Sequence, residues 1–146
     1  MNWHLFVIGK PKLAFAKAGM EEYARRIQPF AALKVECLKN SSRETESAIL
    51  LKRSERMFRI VLDERGGHFT SRQFAQKISD WEQRSVKSVA LIIGGADGHT
   101  EELRQSADWL MSLSKFTLQH ELALVVALEQ IYRAYSIKAG TPYHRE

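Results

Sequence analysis

Four side chains that can carry out acid–base or charge chemistry end the chain: Tyr143, His144, Arg145 and Glu146. They follow Gly140 and Pro142, which are typical of a helix end. Chain ends usually fray, so a polar tail without a chemical role is one interpretation. The other is a short segment that leaves the last helix at a fixed point and lies over a ligand pocket.

The loop "GGADG", with Gly94, Gly95 and Gly98, is a second candidate for chemistry. It follows an apolar run and precedes a predicted helix, where a backbone without side chains lets a nucleotide-like ligand approach closely. It matches neither the dinucleotide fingerprint nor the P-loop. A ligand-binding loop and a simple tight turn stay open as equal alternatives.

Other site chemistries have little support in the sequence. The five histidines have no spacing typical of a zinc site, and a G-x-S-x-G motif is absent. Cys37, the single cysteine, lies in a predicted strand and is interpreted as a small core residue. Glu129 and Arg133 are spaced for an intrahelical ion pair. Neither a metal site nor a nucleophilic hydrolase is predicted.

Size and composition predict one globular domain over residues 1–146, since 45% of the residues are hydrophobic and 27% are charged. The first residues lack the features of a secretory leader, and no apolar run is long enough to span a membrane, so a cytoplasmic protein is expected. Residues 1–59 carry twelve Lys or Arg against six acids, and residues 60–146 carry ten against eleven. A polyanion such as nucleic acid is one expected partner, and a generally basic soluble protein is the alternative.

Strand-like and helix-like patterns alternate along the chain, which predicts an α/β fold with a mostly parallel sheet flanked by helices. Capping boxes are expected at Ser41 with Glu44 and at Thr70 with Gln73. A turn is expected at "DERGG", a helix from Thr100 to about Leu110, and a short strand at "KFTL". Ligands bind beyond the carboxyl ends of parallel strands, so "LDERGG", "IGGADGH" and "LSKFTLQH" are expected to form the site.

The last predicted helix is apolar on every side from Leu122 to Leu128. Such a helix must be covered on all sides, either as a central core helix or partly by a second subunit. Phe74, Trp81 and Trp109 are spaced as core aromatic residues.

Several of these stretches together resemble the ribosomal RNA large subunit methyltransferase H family of SPOUT methyltransferases. The matching segments are "EYARRI", "LDERGGHFTSRQFA", "LIIGGADGH", "LSKFTLQHELALVVALEQIYRAYSI" and the terminal "PYHRE". The resemblance covers nearly the whole chain, and the terminal block is its most specific part. It implies a homodimer with a deep trefoil knot in roughly residues 60–146, a feature that strand patterns alone do not predict.

The resemblance also implies an activity. S-adenosyl-L-methionine would be the cofactor, and the substrate would be N3 of a pseudouridine in helix 69 of 23S rRNA, within the assembled ribosome. Matching positions imply a cofactor site made of Leu62, Gly94, Leu113, Ser114, Lys115, Phe116, Thr117 and Leu118. Neither a metal nor a membrane is implied as a partner.

The tail would carry the chemistry of this reaction. An imide N3 is a weak acid, so His144 is the hypothetical base and Tyr143 orients its ring. Arg133 or Arg145 would steer a phosphate or stabilise the anion.

The chain departs from the family pattern at Gln119, where proline is common, and at Leu124, where arginine is common. A differently shaped knot loop and the loss of one basic contact are expected. One alternative is a ribosome- or RNA-binding protein of this fold with an altered substrate or lost transfer activity. A monomeric α/β protein for a small nucleotide is a further alternative.

Overall fold

The computed structural model describes residues 1–95 and 97–143, in which strands and helices alternate as predicted. The strands are β1 (Asn2–Ile8), β2 (Ala32–Leu38), β3 (Phe58–His68), β4 (Ser88–Ile93) and β5 (Trp109–Ser112). The helices are α1 (Ala14–Ile27), α2 (Arg43–Arg53), α3 (Ser71–Gln83), α4 (Glu101–Gln105) and α5 (His120–Ala139). The α/β class predicted from the sequence is confirmed.

The five strands form one parallel sheet in the order β2-β1-β4-β3-β5. Strand β4 lies between the earlier strands β1 and β3, so the middle strand of the sheet comes later in the chain than both of its neighbours. Both faces of β1 and β4 are covered, because their apolar residues are buried almost without exception. This explains why these strands read as continuous apolar runs.

One hydrophobic core lies on each face of the sheet. The larger core contains Trp3 and Leu5 of β1 together with apolar residues of α1, α3 and α5. The smaller core contains Phe6 and Ile8 of the same strand and packs beneath α2 and α4. The predicted core aromatics Phe74, Trp81 and Trp109 pack against one another on the larger side.

Strand β3 runs through the predicted "DERGG" turn to His68, so the turn prediction is wrong. After a register shift between Leu62 and Gly67, the extension pairs with β5, where Gly67 lies opposite Met111. The two backbones are very close here, since a Cβ on Gly66 would lie 2.6 Å from the Met111 carbonyl carbon. A long-range pairing has overridden a local turn signal.

The predicted helix from Thr100 to Leu110 is also wrong beyond its first turn. Thr100 does cap α4, but the helix ends at Gln105 and is followed by β5. Asp108 starts this strand by exchanging hydrogen bonds with the backbone of Arg59 in β3. The predicted "KFTL" strand is wrong as well, because residues 115–118 belong to an irregular loop between β5 and α5.

Three predictions about helix ends had different outcomes. The capping box at Thr70 and Gln73 is confirmed, and so is the helix end at Gly140, whose φ is 71°. Helix α2 is capped by Ser42 instead of Ser41, because the Ser41 backbone N–H donates to the Glu46 carboxylate.

Helix α5 is not covered on all sides by the described part of this chain. Leu124, Leu128 and Ile131 are fully buried, whereas Leu122 is 37% exposed and its neighbours Val125 and Val126 are half-buried. Cys37 is half-buried in the edge strand β2, so the prediction of a core cysteine is only partly right.

Candidate functional site

A pocket of about 680 Å³ opens at the carboxyl ends of β3, β4 and β5. Residues 62–65, 93–95, 97–99, 112–114 and 116–120 form most of its wall. These are the three stretches predicted from the sequence to form a ligand site, and the fold brings them together. The volume suits a ligand of nucleoside size.

Seven of the eight residues expected to bind a cofactor line this pocket: Leu62, Gly94, Leu113, Ser114, Phe116, Thr117 and Leu118. The eighth, Lys115, belongs to the same loop but is not part of the wall. Phe116 is 84% exposed at the rim, which is unusual for a phenylalanine in a folded chain.

The glycine loop after β4 combines a close approach with a tight turn. A Cβ on Gly94 would lie 2.7 Å from Cε1 of His99, so the imidazole occupies the space that any larger residue would need. Gly98 has a φ of +73°, in the left-handed region that favours glycine. The positive φ at Gly98 confirms a tight turn in "GGADG", and the ligand-binding interpretation of the loop stays a prediction.

His99 is a pocket residue that sequence reasoning did not select. Its side chain is only 6% exposed, and Nε2 has no hydrogen-bond partner among the described residues. Burial lowers the pKa of His99, against the opposing effects of the Asp63 carboxylate and a hydrogen bond to the Leu62 backbone. Nε2 is therefore a buried nitrogen without a partner, next to the pocket. The only available signal was a histidine directly after a glycine turn.

A buried ion pair supports the wall behind His99. The guanidinium Nε of Arg104 lies 3.3 Å from Oδ2 of Asp63, and both side chains are 12% exposed. Arg104 also pairs with Glu101 at 2.8 Å. The positive charge of Arg104 is one cause of the lowered pKa of His99.

The loop between β5 and α5 is fixed at both ends by its own side chains. The Ser112 hydroxyl donates to the Ser114 carbonyl at 2.8 Å, and the Phe116 N–H donates to the Ser114 hydroxyl at 2.9 Å. Gln119 caps α5, because its Oε1 accepts from the backbone N–H groups of Glu121 and Leu122. The glutamine that departs from the family pattern thus has a structural role as a helix cap.

Glu121 joins α5 to the start of α1. Its Oε1 accepts from the backbone N–H groups of Lys12 at 2.7 Å and Leu13 at 2.9 Å. Hydrogen bonding to Leu13 is the largest cause of the lowered pKa of the Glu121 carboxyl. The loop after β1 is therefore held beside the pocket.

The predicted catalytic residues Tyr143 and Arg133 lie together in a different place, which we call the tail anchor: Tyr23, Glu129, Tyr132, Arg133 and Tyr143. The Tyr143 hydroxyl donates to Oε1 of Glu129 at 3.1 Å, and Arg133 pairs with the same oxygen at 2.6 Å. The Arg133 guanidinium lies 5.0 Å from the centre of the Tyr143 ring, and the Tyr132 ring packs edge-on against it. The predicted pair of Glu129 and Arg133 is confirmed.

Tyr143 is held as a neutral phenol. Burial raises its pKa, and hydrogen bonding to Tyr23 and the Glu129 carboxylate raises it further. Sequence reasoning missed that Glu129 holds the tail as well as its helical partner. The remaining predicted catalytic residues, His144 and Arg145, lie outside the described residues.

The tail anchor does not reach the pocket within one chain. Ala123 is the last residue of α5 that lines the pocket, and Arg133 follows ten residues later. At the rise of an α-helix this places the two about 15 Å apart along the axis. Neither Tyr143 nor Arg133 contributes to the pocket wall.

Two features are absent from residues 1–95 and 97–143, the part of the chain that the structure describes. No group of three or more His, Cys, Asp or Glu side chains is placed to hold a metal ion. None of the helices in this part of the chain is long and apolar enough to cross a membrane.

Comparison with known proteins identifies the family. A family model described as a predicted SPOUT methyltransferase matches residues 1–144. The ribosomal RNA large subunit methyltransferase H of Thermus thermophilus is 42% identical over 145 residues, which cover 99% of each chain. The protein of the same name from Deinococcus radiodurans is 39% identical over 145 residues, also 99% of each chain. The chain belongs to the ribosomal RNA large subunit methyltransferase H family.

Solved structures support the fold at much lower sequence identity. A probable methylase family protein from Haemophilus influenzae matches with a TM-score of 0.57 and 11% identity, covering 99% of this chain and 71% of that chain. A putative methylase family protein from Neisseria gonorrhoeae gives a TM-score of 0.57 at 14% identity. The resemblance inferred from the motifs is thus confirmed at the level of the family.

Proposed function

We propose that this chain is an S-adenosyl-L-methionine-dependent methyltransferase that modifies N3 of a pseudouridine in helix 69 of 23S rRNA, acting on the assembled ribosome. The observation that carries the proposal is the pocket, which gathers seven residues expected at the cofactor from three separated segments. Family membership supports the same function, because the relatives carry the name of ribosomal RNA methyltransferases.

The residues present fit the proposed cofactor. Gly94 keeps the pocket open at a point where a Cβ would collide with His99, and the unpartnered Nε2 of His99 lies next to the pocket. Leu62, Gly94 and the loop of residues 113–118 would hold the group, with Phe116 free to fold over it from its exposed position. When bound, S-adenosyl-L-methionine supplies an electrophilic methyl group on a sulfonium sulfur.

The chemistry left to the chain is proton removal and alignment. His144 would take the N3 proton of the base and so leave an electron pair on N3, which is the nucleophile for the methyl group that bound S-adenosyl-L-methionine would supply. Glu129 holds Tyr143 and Arg133, so the residue that follows Tyr143 leaves from a fixed point. Arg133 or Arg145 stabilises the anion or a nearby phosphate.

The proposal includes a homodimer. Within one chain Arg133 lies about 15 Å along α5 from the pocket residue Ala123, and in the proposed dimer the tail of one protomer would complete the pocket of its partner. Exposed apolar side chains at the starts of α1 and α5 supply a surface for this contact: Leu13, Phe15 and Leu122 are 43%, 50% and 37% exposed. A C-terminal trefoil knot over roughly residues 60–146 is part of the same proposal, and the insertion of β4 between β1 and β3 is in keeping with it.

A second function is favoured by one observation. The position where the family commonly has arginine is the uncharged Leu124, whose side chain is fully buried in the larger core. This favours a ribosome- or RNA-binding protein with an altered substrate or lost transfer activity.

A methylation assay separates the two functions. Ribosomes from a strain that lacks the protein would be incubated with it and labelled cofactor, and the modified base mapped, with cofactor binding followed by calorimetry. We expect binding, transfer and label at the helix 69 pseudouridine. Binding without transfer to any ribosomal substrate would favour the second function, and absence of binding would contradict the proposed enzyme.

A further inference from the structure

Cations of the N-terminal half collect at the same edge of the sheet as the pocket. Strands β1 and β2 end side by side, because the Gly9 N–H donates to the Leu38 carbonyl at 2.6 Å. Lys10 and Lys39 follow directly and are both exposed. Burial raises the pKa of the Cys37 thiol in β2, and the Lys10 ammonium partly opposes this shift.

Two more cations bring this group to the pocket. The backbone of Lys12 is bound by Glu121, next to the pocket residue His120, and its side chain is exposed. Arg43 starts α2 and itself lines the pocket. We call these four residues the basic ridge: Lys10, Lys12, Lys39 and Arg43. Of the four, Arg43 lines the pocket, and Lys12 lies next to it through Glu121.

The three lysines of the ridge have no salt bridge to the described residues, whereas Arg53, for example, pairs with Glu36 at 2.7 Å. Two of the nearby acids are turned inward: Glu121 accepts from the backbone at the start of α1, and Glu46, only 5% exposed, accepts from the Ser41 N–H at 2.7 Å. A third, Glu44, pairs with Arg43 at 3.3 Å. The positive charge of the three lysines is therefore left for an external partner.

We propose that the basic ridge binds phosphates of the RNA strand that enters the pocket. This rests on the proposed function and adds the surface on which the substrate lies. An enzyme that modifies a base must take that base out of its stack, so the flanking phosphates remain outside the pocket while the base enters it. Exposed, unpaired lysines beside the opening are suited to these phosphates.

The test compares two triple variants with equal loss of charge. The ridge variant carries Lys10→Ala, Lys12→Ala and Lys39→Ala. The control carries Lys77→Ala, Arg84→Ala and Lys87→Ala, three exposed cations on α3 and at the amino edge of the sheet. Binding of a synthetic RNA hairpin with the helix 69 sequence would be measured without cofactor at several salt concentrations, and cofactor binding would be measured by calorimetry.

We expect the ridge variant to bind the hairpin at least about tenfold more weakly near 0.1 M salt, with the slope of log K against log salt smaller by about 2. The control should stay within about twofold of the unmodified protein, and cofactor affinity should be unchanged in both. Equal losses in the two variants, or no loss in the ridge variant, would overturn the proposal.

The measurements distinguish failure of the ridge proposal from failure of the proposed methyltransferase function. A protein that binds the hairpin through the ridge but transfers no methyl group would support the ridge and contradict the enzyme. If the protein methylates ribosomes and the ridge variant binds the hairpin as tightly as the unmodified protein, the enzyme is supported and the ridge is contradicted.

Discussion

The pocket and the tail anchor are both built on α5, yet they differ in how far their polar groups are satisfied. In the tail anchor, the Glu129 carboxylate receives both the Tyr143 hydroxyl and the Arg133 guanidinium. In the pocket, His99 leaves a buried nitrogen without a partner, and Phe116 is exposed. A buried polar atom without a partner destabilises the chain by about 1–3 kcal/mol. The comparison therefore separates a region whose polar groups bind one another from a region that leaves a buried nitrogen without a partner and a large aromatic side chain exposed.

Removing residues 143–146 gives the largest expected effect. The pocket should keep its cofactor affinity within about twofold, while the transfer rate should fall by at least about 100-fold, because a positioned general base contributes that much. Rates on ribosomes, calorimetry and solution mass would be measured together. His144→Ala is the matched point variant and should reproduce most of the loss. Normal methylation by the truncated chain would leave the tail without a chemical role.

Gly94→Ala should have the opposite effect, because it should weaken cofactor binding in the pocket and leave the tail anchor intact. Its Cβ would lie 2.7 Å from Cε1 and 2.9 Å from Nε2 of His99, so the ring must move into the pocket. We expect cofactor affinity to fall by about tenfold or more, since overpacking costs about 1–3 kcal/mol. The double variant Gly94→Ala with His99→Ala should recover much of the affinity in calorimetry. If the double variant binds no better than Gly94→Ala, the collision is not the cause.

Glu129→Gln should disturb the tail anchor and lower the transfer rate by a smaller factor. The variant keeps the size of the side chain but loses the charge that holds Arg133 and Tyr143, and hydrogen bonds to charged groups contribute about 1.5–3 kcal/mol. We expect the transfer rate to fall by about tenfold with cofactor affinity unchanged. The control is Glu82→Gln, because Glu82 pairs with Lys138 of the same helix, away from Tyr143. An equal effect of both variants would contradict a specific role for Glu129.

The smallest expected effect is on acid stability, and it belongs to the pocket. The pKa of folded His99 lies below its ordinary value of 6.5, so below about pH 6.5 the unfolded chain binds a proton that the folded chain does not. The stabilisation is complete above pH 6.5 and is lost as the pH falls, at a rate of at most about 1.4 kcal/mol per pH unit. Denaturant unfolding of His99→Leu should show a flatter pH dependence between pH 7 and 5. Parallel curves would show that other groups determine the acid sensitivity.

The parts of this structure that were predictable from the sequence depend on neighbours in the chain. The Thr70 capping box, the Gly140 helix end and the Glu129–Arg133 pair each involve residues a few positions apart. The extension of β3 was not predictable in this way, because it depends on a pairing with β5 more than forty residues later.

The same distinction between local and long-range contacts applies to the candidate site. Parallel strands bring their carboxyl ends to one edge whatever their order, so the three pocket stretches could be selected from the alternation of elements alone. The unpartnered Nε2 of His99 could not, because its burial depends on how the loop folds back on Gly94 and on a contact with Leu62 from another segment. The second role of Glu129 depends on where the chain turns after Gly140.

The bond between Glu121 and the start of α1 has a consequence for how the protein is made. Leu13, at the N-cap of α1, provides no side-chain cap, and the acceptor for the Lys12 and Leu13 N–H groups that lead into the helix is Glu121, 108 residues beyond Leu13. During synthesis these two N–H groups therefore lack their acceptor until the last helix has left the ribosome. A fragment that stops before α5 should hold the start of α1 less firmly, so α1 and α5 depend on each other in folding.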